Sequence, residues 1–259
     1  ISVMNLTNSI DINADLGEFK NEIEFKNELN ILKYISSCSV ACGGHTGDEK
    51  SIKQIIEVCK ENSIAIGPHP SYPDEAGFGR RAIKISLTDL QKSIIEQIQR
   101  FLTVAKSLSM PVRHVKLHGS LYNEVSREER LASFFLNIVD AFEEDLAVIG
   151  PSNSVLETMT KQAGINFISE AFIDRRYREN YNLVNRNQDG ALLNTIEDQV
   201  EQARNILIEN KVITDNEKTI NLKVETICIH GDSPNAVPVL KAICKMLKEE
   251  SFDIRPHLR

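Results

Sequence analysis

The stretch SIDINADLGE, residues 9–18, places polar side chains at every second position of an otherwise apolar segment. Asp11, Asn13 and Asp15 alternate with isoleucine and alanine. Successive side chains of a β-strand point to opposite faces, so these three polar groups share one face. The pattern predicts a strand with one apolar face in a core and one polar face towards a wet or chemically occupied space.

The same stretch imitates a calcium-binding loop of the EF-hand type, because Glu22 follows Asp11 by eleven residues. That loop needs glycine at its sixth position for a sharp turn. The sixth residue here is Leu16, and no helix of useful length precedes the stretch. We therefore favour the strand over a calcium loop.

Six further β-type runs follow, separated by segments with the period of a helix. The seven predicted strands are SIDINADL (9–16), CSVAC (38–42), IAIGPH (64–69), HVKLH (114–118), LAVIG (146–150), INFISEAF (165–172) and ETICIH (225–230). Ile52, Ile55, Ile56 and Cys59 have helical spacing. Ser86 and Thr195 are predicted helix caps.

Alternating β and α units imply parallel strands joined by right-handed crossovers. Seven such units without a Pro/Gly/Ser-rich linker favour an α/β fold with a single domain over residues 1–259. The predicted architecture is a closed or nearly closed (β/α) barrel, and a doubly wound open sheet is the alternative. Residues 211–224 break the rhythm and predict a small excursion before the last strand.

Composition argues against a nucleic-acid-binding protein and indicates the redox state of the cysteines. The net charge of -7 and the pI near 5.5 argue against binding nucleic acid, which requires clustered Lys and Arg. An odd number of cysteines, five, without a C-x-x-C motif indicates reduced thiols in the cytoplasm. Four of them have apolar neighbours and are interpreted as core residues: Cys38, Cys42, Cys59 and Cys228.

Neither a membrane-spanning run nor a signal peptide is apparent in the sequence. Ile1 is not an initiator, so we expect the natural chain to start at Met4, with residues 1–3 added. The charge-rich stretch at 19–28 is interpreted as a solvated face.

Polar side chains follow six of the seven predicted strands. They are Asp15 and Glu18; His45 and Asp48; His69, Tyr72 and Asp74; Lys116, His118, Tyr122 and Asn123; Glu170, Asp174 and Arg175; and His230 and Asp232. Each alone has an ordinary structural explanation: Asp48 and Asp232 suit helix caps, and Asp74 suits a turn. Functional groups of parallel α/β folds collect at the carboxyl ends of the strands, so the recurrence favours one shared site.

Two kinds of chemistry suit such a cluster. Carboxylates and imidazoles are ligands for a divalent metal that activates water for amide hydrolysis. Alternatively, the same groups perform metal-free acid–base catalysis, with Lys116 and arginines of GFGRR (77–81) and DRRYR (174–178) holding an anionic substrate. For Arg176 and Arg178, surface ion pairing is an equally good explanation.

Six motifs, in order over nearly the whole chain, resemble the LamB/YcsF lactam-utilisation family, the A subunits of 5-oxoprolinase. They are D-x-N-x-D-x-G-E (11–18), ACGGHTGD (41–48), GPHPSYPDEAGFGRR (67–81), VKLHGSLYN (115–123), SEAFIDRRY (169–177) and ICIHGDSP (227–234). The chain departs from the family at Gly44, where an aromatic residue is common, at Ser71, which replaces a glycine, and at Asn185, which replaces a proline. Gly44 is expected to widen the pocket.

The resemblance implies a seven-stranded (β/α) barrel similar to the glycoside hydrolase/deacetylase superfamily. It also implies ATP-dependent opening of the lactam 5-oxo-L-proline to L-glutamate, with Mg²⁺ and the partner subunits B and C. We predict Asp11 or Asp15 as the base, Lys116 and Arg80 as stabilisers of developing negative charge, and His118 as a further catalytic residue. By analogy with deacetylase-like barrels, Asp15, His69 and His118 are predicted metal ligands.

Other polar residues of the same strands and strand ends are predicted to bind the substrate: Asn13, His45, His69, Tyr72, Tyr122, Asn123, Glu170, Asp174, Arg175, His230 and Asp232. Two alternatives stay open: a stand-alone metal-dependent amidohydrolase or carbohydrate deacetylase, and a non-catalytic subunit that binds 5-oxoproline. A homo-oligomer is a further alternative that the sequence does not decide.

Overall fold

A computed structural model describes residues 8–230 and 235–257 of the chain. The strands, in chain order, are β1 (Asn8–Leu16), β2 (Ser37–Ala41), β3 (Ala65–His69), β4 (His114–Lys116), β5 (Ala147–Pro151), β6 (Phe167–Phe172), β7 (Lys211–Ile213), β8 (Thr219–Asn221), β9 (Thr226–His230) and β10 (Phe252–Ile254). The α-helices are α1 (Glu22–Ile31), α2 (Glu49–Glu61), α3 (Leu87–Ser107), α4 (Gly119–Val125), α5 (Glu129–Asp140), α6 (Val155–Gln162), α7 (Ile196–Leu207) and α8 (Ala236–Glu249).

Seven parallel strands form a nearly closed barrel in the order β3-β2-β1-β9-β6-β5-β4. The two ends of this order meet through a parallel bridge between Ile66 and Val112, and the Arg113 N–H donates to the Ile66 carbonyl at 3.3 Å. The predicted barrel is confirmed, and the open doubly wound sheet is wrong. All seven predicted strands are present, each within a few residues of its predicted bounds.

Two small elements complete the sheet structure. Strands β7 and β8 form an antiparallel hairpin, which confirms the predicted excursion within residues 211–224. Strand β10 pairs in parallel with the first residues of β1, from Asn8 opposite Phe252 to Ile10 opposite Ile254. The sequence patterns did not predict this strand. It pairs with residues 8–10 of β1, and the barrel pairing of β1 begins at residue 11.

The barrel places the two faces of β1 in different surroundings. Ile12, Ala14 and Leu16 are fully buried in the apolar layer between the strands and the helices. Asn13 on the opposite face bonds side chains of β6 and β9, so the polar face points into the barrel. The alternation in the sequence is therefore confirmed as a core face and a lumen face.

The helices pack around the barrel as their periodicity predicted. Ile52, Ile55, Ile56 and Cys59 form the buried stripe of α2. Ser86 and Thr195 cap α3 and α7 by accepting backbone N–H groups, and Asp48 caps α2 in the same way. Asp48 thus has the structural role considered for it.

All five cysteines are free thiols, and Cys38, Cys42, Cys59 and Cys228 are buried, as predicted. The described part of the chain contains no helix with the length and apolarity that a membrane span needs. Met4, the predicted natural start, lies outside the described residues, as does Asp232.

The stretch at 19–28 corrects the prediction of a solvated face. Glu28 is buried, and its carboxylate accepts the Gly17 N–H at 2.7 Å and the Glu18 N–H at 2.9 Å. Because α1 folds back against the end of β1, Glu28 accepts hydrogen bonds from two backbone N–H groups that do not bond to a neighbouring strand. Other charged side chains of the stretch, such as Glu22, are exposed.

We expect Glu28 to make the free energy of unfolding depend on pH. Burial raises the pKa of Glu28 from 4.5 to about 7, although the two backbone N–H groups favour the charged form. Between pH 4.5 and about pH 7 the folded state therefore binds more protons than the unfolded state. The free energy of unfolding should fall as the pH rises through this range, by up to about 3 kcal/mol.

Urea unfolding of the wild type and of Glu28→Gln, at about pH 5 and about pH 7.5, measures this dependence. The wild type should lose stability relative to Glu28→Gln on going to the higher pH. Glu22→Gln, an exposed change on the same helix, is the matched control and should follow the wild type. A difference between wild type and Glu28→Gln that does not change with pH would contradict the expectation.

Candidate active site

The polar face of β1 forms successive layers inside the barrel. Asp11 lies deepest, and its carboxylate accepts hydrogen bonds from the hydroxyl groups of Ser36, Ser37 and Thr226 at 2.5, 2.7 and 2.6 Å. Burial raises the pKa of Asp11, and these three hydroxyls oppose the shift. Both carboxylate oxygens of Asp11 thus accept hydrogen bonds, and Asp11 does not line the cavity at the carboxyl ends of the strands that is described below. Its position favours Asp15 over Asp11 as the predicted base.

Lys116 crosses the barrel interior above Asp11 and is almost fully buried. Its ammonium group contacts Glu170 Oε1 at 2.7 Å, Asp15 Oδ1 at 3.0 Å and Asn13 Oδ1 at 3.0 Å, and Cys228 Sγ lies 3.2 Å away. Burial opposes the charge, but Asp15, Cys228 and Glu170 together raise the pKa of Lys116 well above its usual value. Two carboxylates surround one ammonium, so Lys116 holds Asp15 and Glu170 in place.

Glu170 connects this group to the wall of the cavity. Its second oxygen accepts the Tyr122 hydroxyl at 2.8 Å, and its first also accepts the Asn13 amide at 2.9 Å. Tyr122 is buried against Phe172 in an edge-to-face contact of 5.8 Å between ring centroids. Burial, with Glu170 beside it, raises the pKa of Tyr122 well above its usual value, so the hydroxyl is a proton donor.

The hydrogen bonds of His69 and His118 fix which nitrogen of each ring carries a proton. His69 Nδ1 lies 2.8 Å from the Lys116 carbonyl, and His118 Nε2 lies 3.0 Å from the Phe78 carbonyl. A carbonyl oxygen only accepts, so both nitrogens are N–H donors. In neutral rings, His69 Nε2 and His118 Nδ1 are then lone-pair acceptors, although they lie 3.0 Å apart.

Asp15 completes this convergence of acceptors. Its Oδ2 lies 3.3 Å from His69 Nε2, and one ligand atom of each of Asp15, His69 and His118 falls within 4.8 Å of the other two. Burial, together with His45 and His69, lowers the pKa of His118 well below its usual value, which favours the neutral ring. When both rings are neutral, these three acceptor atoms suit a shared cation, and the backbone carbonyls orient both imidazoles as in metal sites.

A second group of ligand-type residues adjoins the first. His45 stacks on His118 with ring centroids 3.7 Å apart, and its Nε2 lies 2.7 Å from Glu18 Oε1. Its Nδ1 lies 3.0 Å from the Ser71 hydroxyl. Burial lowers the pKa of His45 to about 3. Glu18, His45 and His118 also meet the spacing of a metal-ligand set, so Glu18 belongs to the site although its role was not predicted.

A cavity of about 680 Å³ opens above these groups at the carboxyl ends of the strands. Eight predicted site residues line it: Asp15, His69, Arg80, Lys116, His118, Tyr122, Asn123 and Arg175. The loop between β6 and α7 forms much of the opposite wall, from Asn182 to Gln188. The convergence predicted from strand ends is therefore present, and the catalytic and binding roles stay predictions.

The other predicted site residues lie off the cavity wall. Asn13, Glu170 and His45 support lining residues from behind. The Tyr72 hydroxyl donates to Glu124 at 2.7 Å, and Asp74 pairs with Arg81 at 2.9 Å in a turn. Asp174 is buried at the start of the loop after β6. His230 ends β9, but its side chain, like Asp232, lies outside the described residues.

The expectation that Gly44 widens the pocket is wrong. Gly44 does not line the cavity, and a Cβ atom there would lie 2.3 Å from both the Ser71 hydroxyl and the Gln97 side-chain oxygen. The serine fills the space that a larger residue at 44 would need, and it also bonds His45.

The fold and the site together define a (β/α)-barrel protein with a small-molecule cavity at the carboxyl ends of its strands. The chain belongs to the LamB/YcsF family, whose sequence model matches residues 10–259.

Relatives agree with this assignment along nearly their whole length. The 5-oxoprolinase A subunit of Campylobacter jejuni subsp. jejuni (strain 81-176) is 36% identical over 245 residues, 95% of this chain and 96% of the relative. The 5-oxoprolinase A subunit of Pyrococcus horikoshii is 35% identical over 247 residues, 95% and 97% of the two chains. The crystal structure of a lactam utilization protein from Thermus thermophilus superposes with a TM-score of 0.87 at 30% identity, covering 95% and 99%.

Proposed function

We propose that this chain is the A subunit of an ATP-dependent 5-oxoprolinase, which opens 5-oxo-L-proline to L-glutamate together with partner subunits B and C. The observation that carries the proposal is the single cavity into which Asp15, His69 and His118 project together with Arg80 and Arg175. Acid–base groups and cations for an anionic substrate thus face one space. The names of relatives that match 95% of the chain support the same activity.

The chemistry of the substrate explains the need for ATP. A five-membered lactam resists hydrolysis, and transfer of a phosphoryl group from ATP, bound with Mg²⁺, to the amide oxygen would release ADP and open the ring carbon to attack by water. Cleavage of the ring C–N bond, with protonation of the nitrogen, would then give a glutamyl phosphate, and its hydrolysis would release L-glutamate and inorganic phosphate. Asp15 is the base for that water in this proposal, because it is the carboxylate of β1 that reaches the cavity. Arg80, exposed at the rim, would stabilise negative charge on the reacting group.

Lys116 contributes differently from the role first predicted for it. An ammonium group has three donors, and three oxygen acceptors inside the barrel already surround that of Lys116. We propose that Lys116 positions Asp15 and keeps it ionised, while substrate charge is met by the guanidinium groups.

The donor set fits a divalent metal of the zinc type. Asp15, His69 and His118 would hold it, and the carbonyls of Lys116 and Phe78 would fix the two imidazoles. Such an ion, when bound, supplies Lewis-acid activation of water or of a carbonyl group. The convergence of three acceptors therefore favours a second candidate function, a metal-dependent amide hydrolase that acts without ATP or partners.

Glutamate formation from 5-oxo-L-proline separates these candidates. The wild-type chain is assayed alone and with subunits B and C, each with and without ATP, after metal analysis of the purified chain. Product only with ATP and both partners supports the 5-oxoprolinase. Product from the isolated chain without ATP supports the metal-dependent hydrolase, and no product under any condition contradicts both.

Metal content tests the ligand assignment independently of turnover. We expect about one divalent ion per wild-type chain and a loss of most of it in His69→Gln, because a three-ligand site loses one of its donors. His257→Gln, which changes a partly exposed histidine paired with Glu225, is the matched control and should keep the ion. Equal metal content in all three proteins would exclude the proposed ligands.

A further inference from the structure

Arginine is concentrated around the cavity of a protein that is acidic as a whole. Six guanidinium side chains line this one space: Arg80, Arg81, Arg127, Arg175, Arg178 and Arg186. The chain carries a net charge of -7, so the cluster opposes the general charge of the surface. Such a local reversal of sign draws anions to a cleft.

Arg175 differs from the other five in its burial. It is the one arginine of the described residues that is buried, with 8% of its surface exposed. Its Nη2 donates to the Val184 carbonyl at 2.7 Å, whereas its Nε finds no hydrogen-bond acceptor within the described part of the chain. A buried donor without an acceptor is costly, and in a ligand-binding wall it marks a place where a ligand oxygen completes the bonding.

The backbone around Arg175 is held in place by helix α7. The side-chain amide of Gln202 donates to the carbonyls of Phe172, Ile173 and Arg175 at 2.9, 3.1 and 2.8 Å. Gln202 thus holds the backbone carbonyl of Arg175, and the Val184 carbonyl holds its Nη2. The guanidinium group is therefore positioned before any ligand binds. Preorganised donors bind with a smaller loss of conformational entropy than mobile surface arginines do.

Other charged side chains lie close enough to Arg175 to shift its pKa. Burial lowers the pKa of Arg175, and Arg186 and Arg80 lower it further, while Asp174 acts in the opposite direction. A purely structural role for Arg175 in the loop would account for its bond to the Val184 carbonyl, but not for an Nε donor that has no acceptor among the described residues.

We propose that Arg175, flanked by Arg80 and Arg186, forms an oxyanion-binding subsite of the cavity that takes the carboxylate of the lactam or a phosphoryl group attached to it. The inference rests on the proposed function and assigns the recognition of substrate charge to one residue. A guanidinium fork matches the two oxygens of either anion. The subsite gives the cavity a preference for a lactam acid over an uncharged lactam.

Binding to the full chain, measured by calorimetry without ATP or partner subunits, tests the subsite separately from turnover. The probes are 5-oxo-L-proline, its neutral carboxamide and inorganic phosphate. The wild type should bind the acid about 10- to 100-fold more tightly than the carboxamide, and Arg175→Gln should remove that preference. Arg175→Lys should restore part of it, because an ammonium keeps the charge without the fork.

Arg204→Gln is the matched control, since it removes the same charge from an exposed pair with Glu250 far from the cavity lining. Arg175→Gln should keep the carboxamide affinity of the wild type, because the neutral probe does not need the subsite. An equal fall in the affinities for the acid and the carboxamide, which leaves the preference unchanged, would overturn the subsite. Phosphate binding that is lost in Arg175→Gln, without preference for the acid, would support the subsite with a phosphoryl group as its ligand. If the wild type binds none of the three probes, or if Arg175→Gln binds all of them like the wild type, the proposal is refuted.

Discussion

Replacement of Asp15 by Asn should lower ATP-dependent glutamate formation by the assembled complex by about 10²- to 10⁴-fold, the usual contribution of a general base. The substitution removes a carboxylate that faces the cavity and lies 3.3 Å from His69 Nε2. The barrel should stay folded. The asparagine oxygen can still accept from Lys116, and Glu170 still neutralises the ammonium at 2.7 Å.

Asp11 is the matched comparison for Asp15, because it lies on the same face of β1 and deeper in the barrel. Asp11 is buried among three hydroxyl groups and does not line the cavity. Asp11→Asn should therefore lower the free energy of unfolding but leave the rate of the folded enzyme close to that of the wild type. Full activity of Asp15→Asn, or an equal loss of activity in both folded variants, would contradict the assignment of the base.

Lys116→Met should have the largest effect on stability, a loss of about 3–5 kcal/mol in the free energy of unfolding. The change removes the only ammonium that contacts the buried carboxylates of Asp15 and Glu170 within the described chain. Methionine fills a similar volume, so the cost reports the uncompensated charges rather than a cavity. Urea unfolding at neutral pH measures it.

Two further variants distinguish the charge effect from a general loss of packing. Lys161→Met removes an exposed ammonium paired with Glu157 at 2.6 Å and should cost less than about 1 kcal/mol. The double variant Lys116→Met/Glu170→Gln also removes one of the two carboxylates that Lys116→Met leaves without an ammonium partner. It should therefore recover part of the lost stability. A loss in Lys116→Met no greater than in Lys161→Met would show that the buried pairing does not stabilise the barrel.

Much of the fold could be predicted from local patterns. The strands were recognisable because short alternating or apolar runs recur along the chain between segments of helical period. The site was recognisable for a related reason: parallel strands carry their carboxyl ends to one rim, so polar residues after successive strands must approach each other. Asp15, His69, Lys116 and His118 were found in this way, although none of them is close to all the others in sequence.

Other features had no local signal. Glu28 looks like any charged residue of an exposed helix, yet it is buried against Gly17 because of the angle at which α1 returns to β1. Cys228 was assigned to the core from its apolar neighbours and is buried, but it also contacts Lys116. Gly44 and Ser71 are 27 positions apart in the numbering, and only the fold places the Ser71 hydroxyl beside Gly44.

The sequence by itself determined the order of β and α units, the polar face of β1 and the rim at which acids and imidazoles gather, because these follow from periodicity and chain direction. Only the tertiary structure decided which residue does what there. It buried Asp11 among hydroxyls, enclosed the ammonium of Lys116 between carboxylates, brought His69 Nε2 to 3.0 Å from His118 Nδ1, and left Arg175 Nε without an acceptor in the described part of the chain. Hydrogen bonding and desolvation depend on neighbours from distant strands, and no local pattern specifies those neighbours.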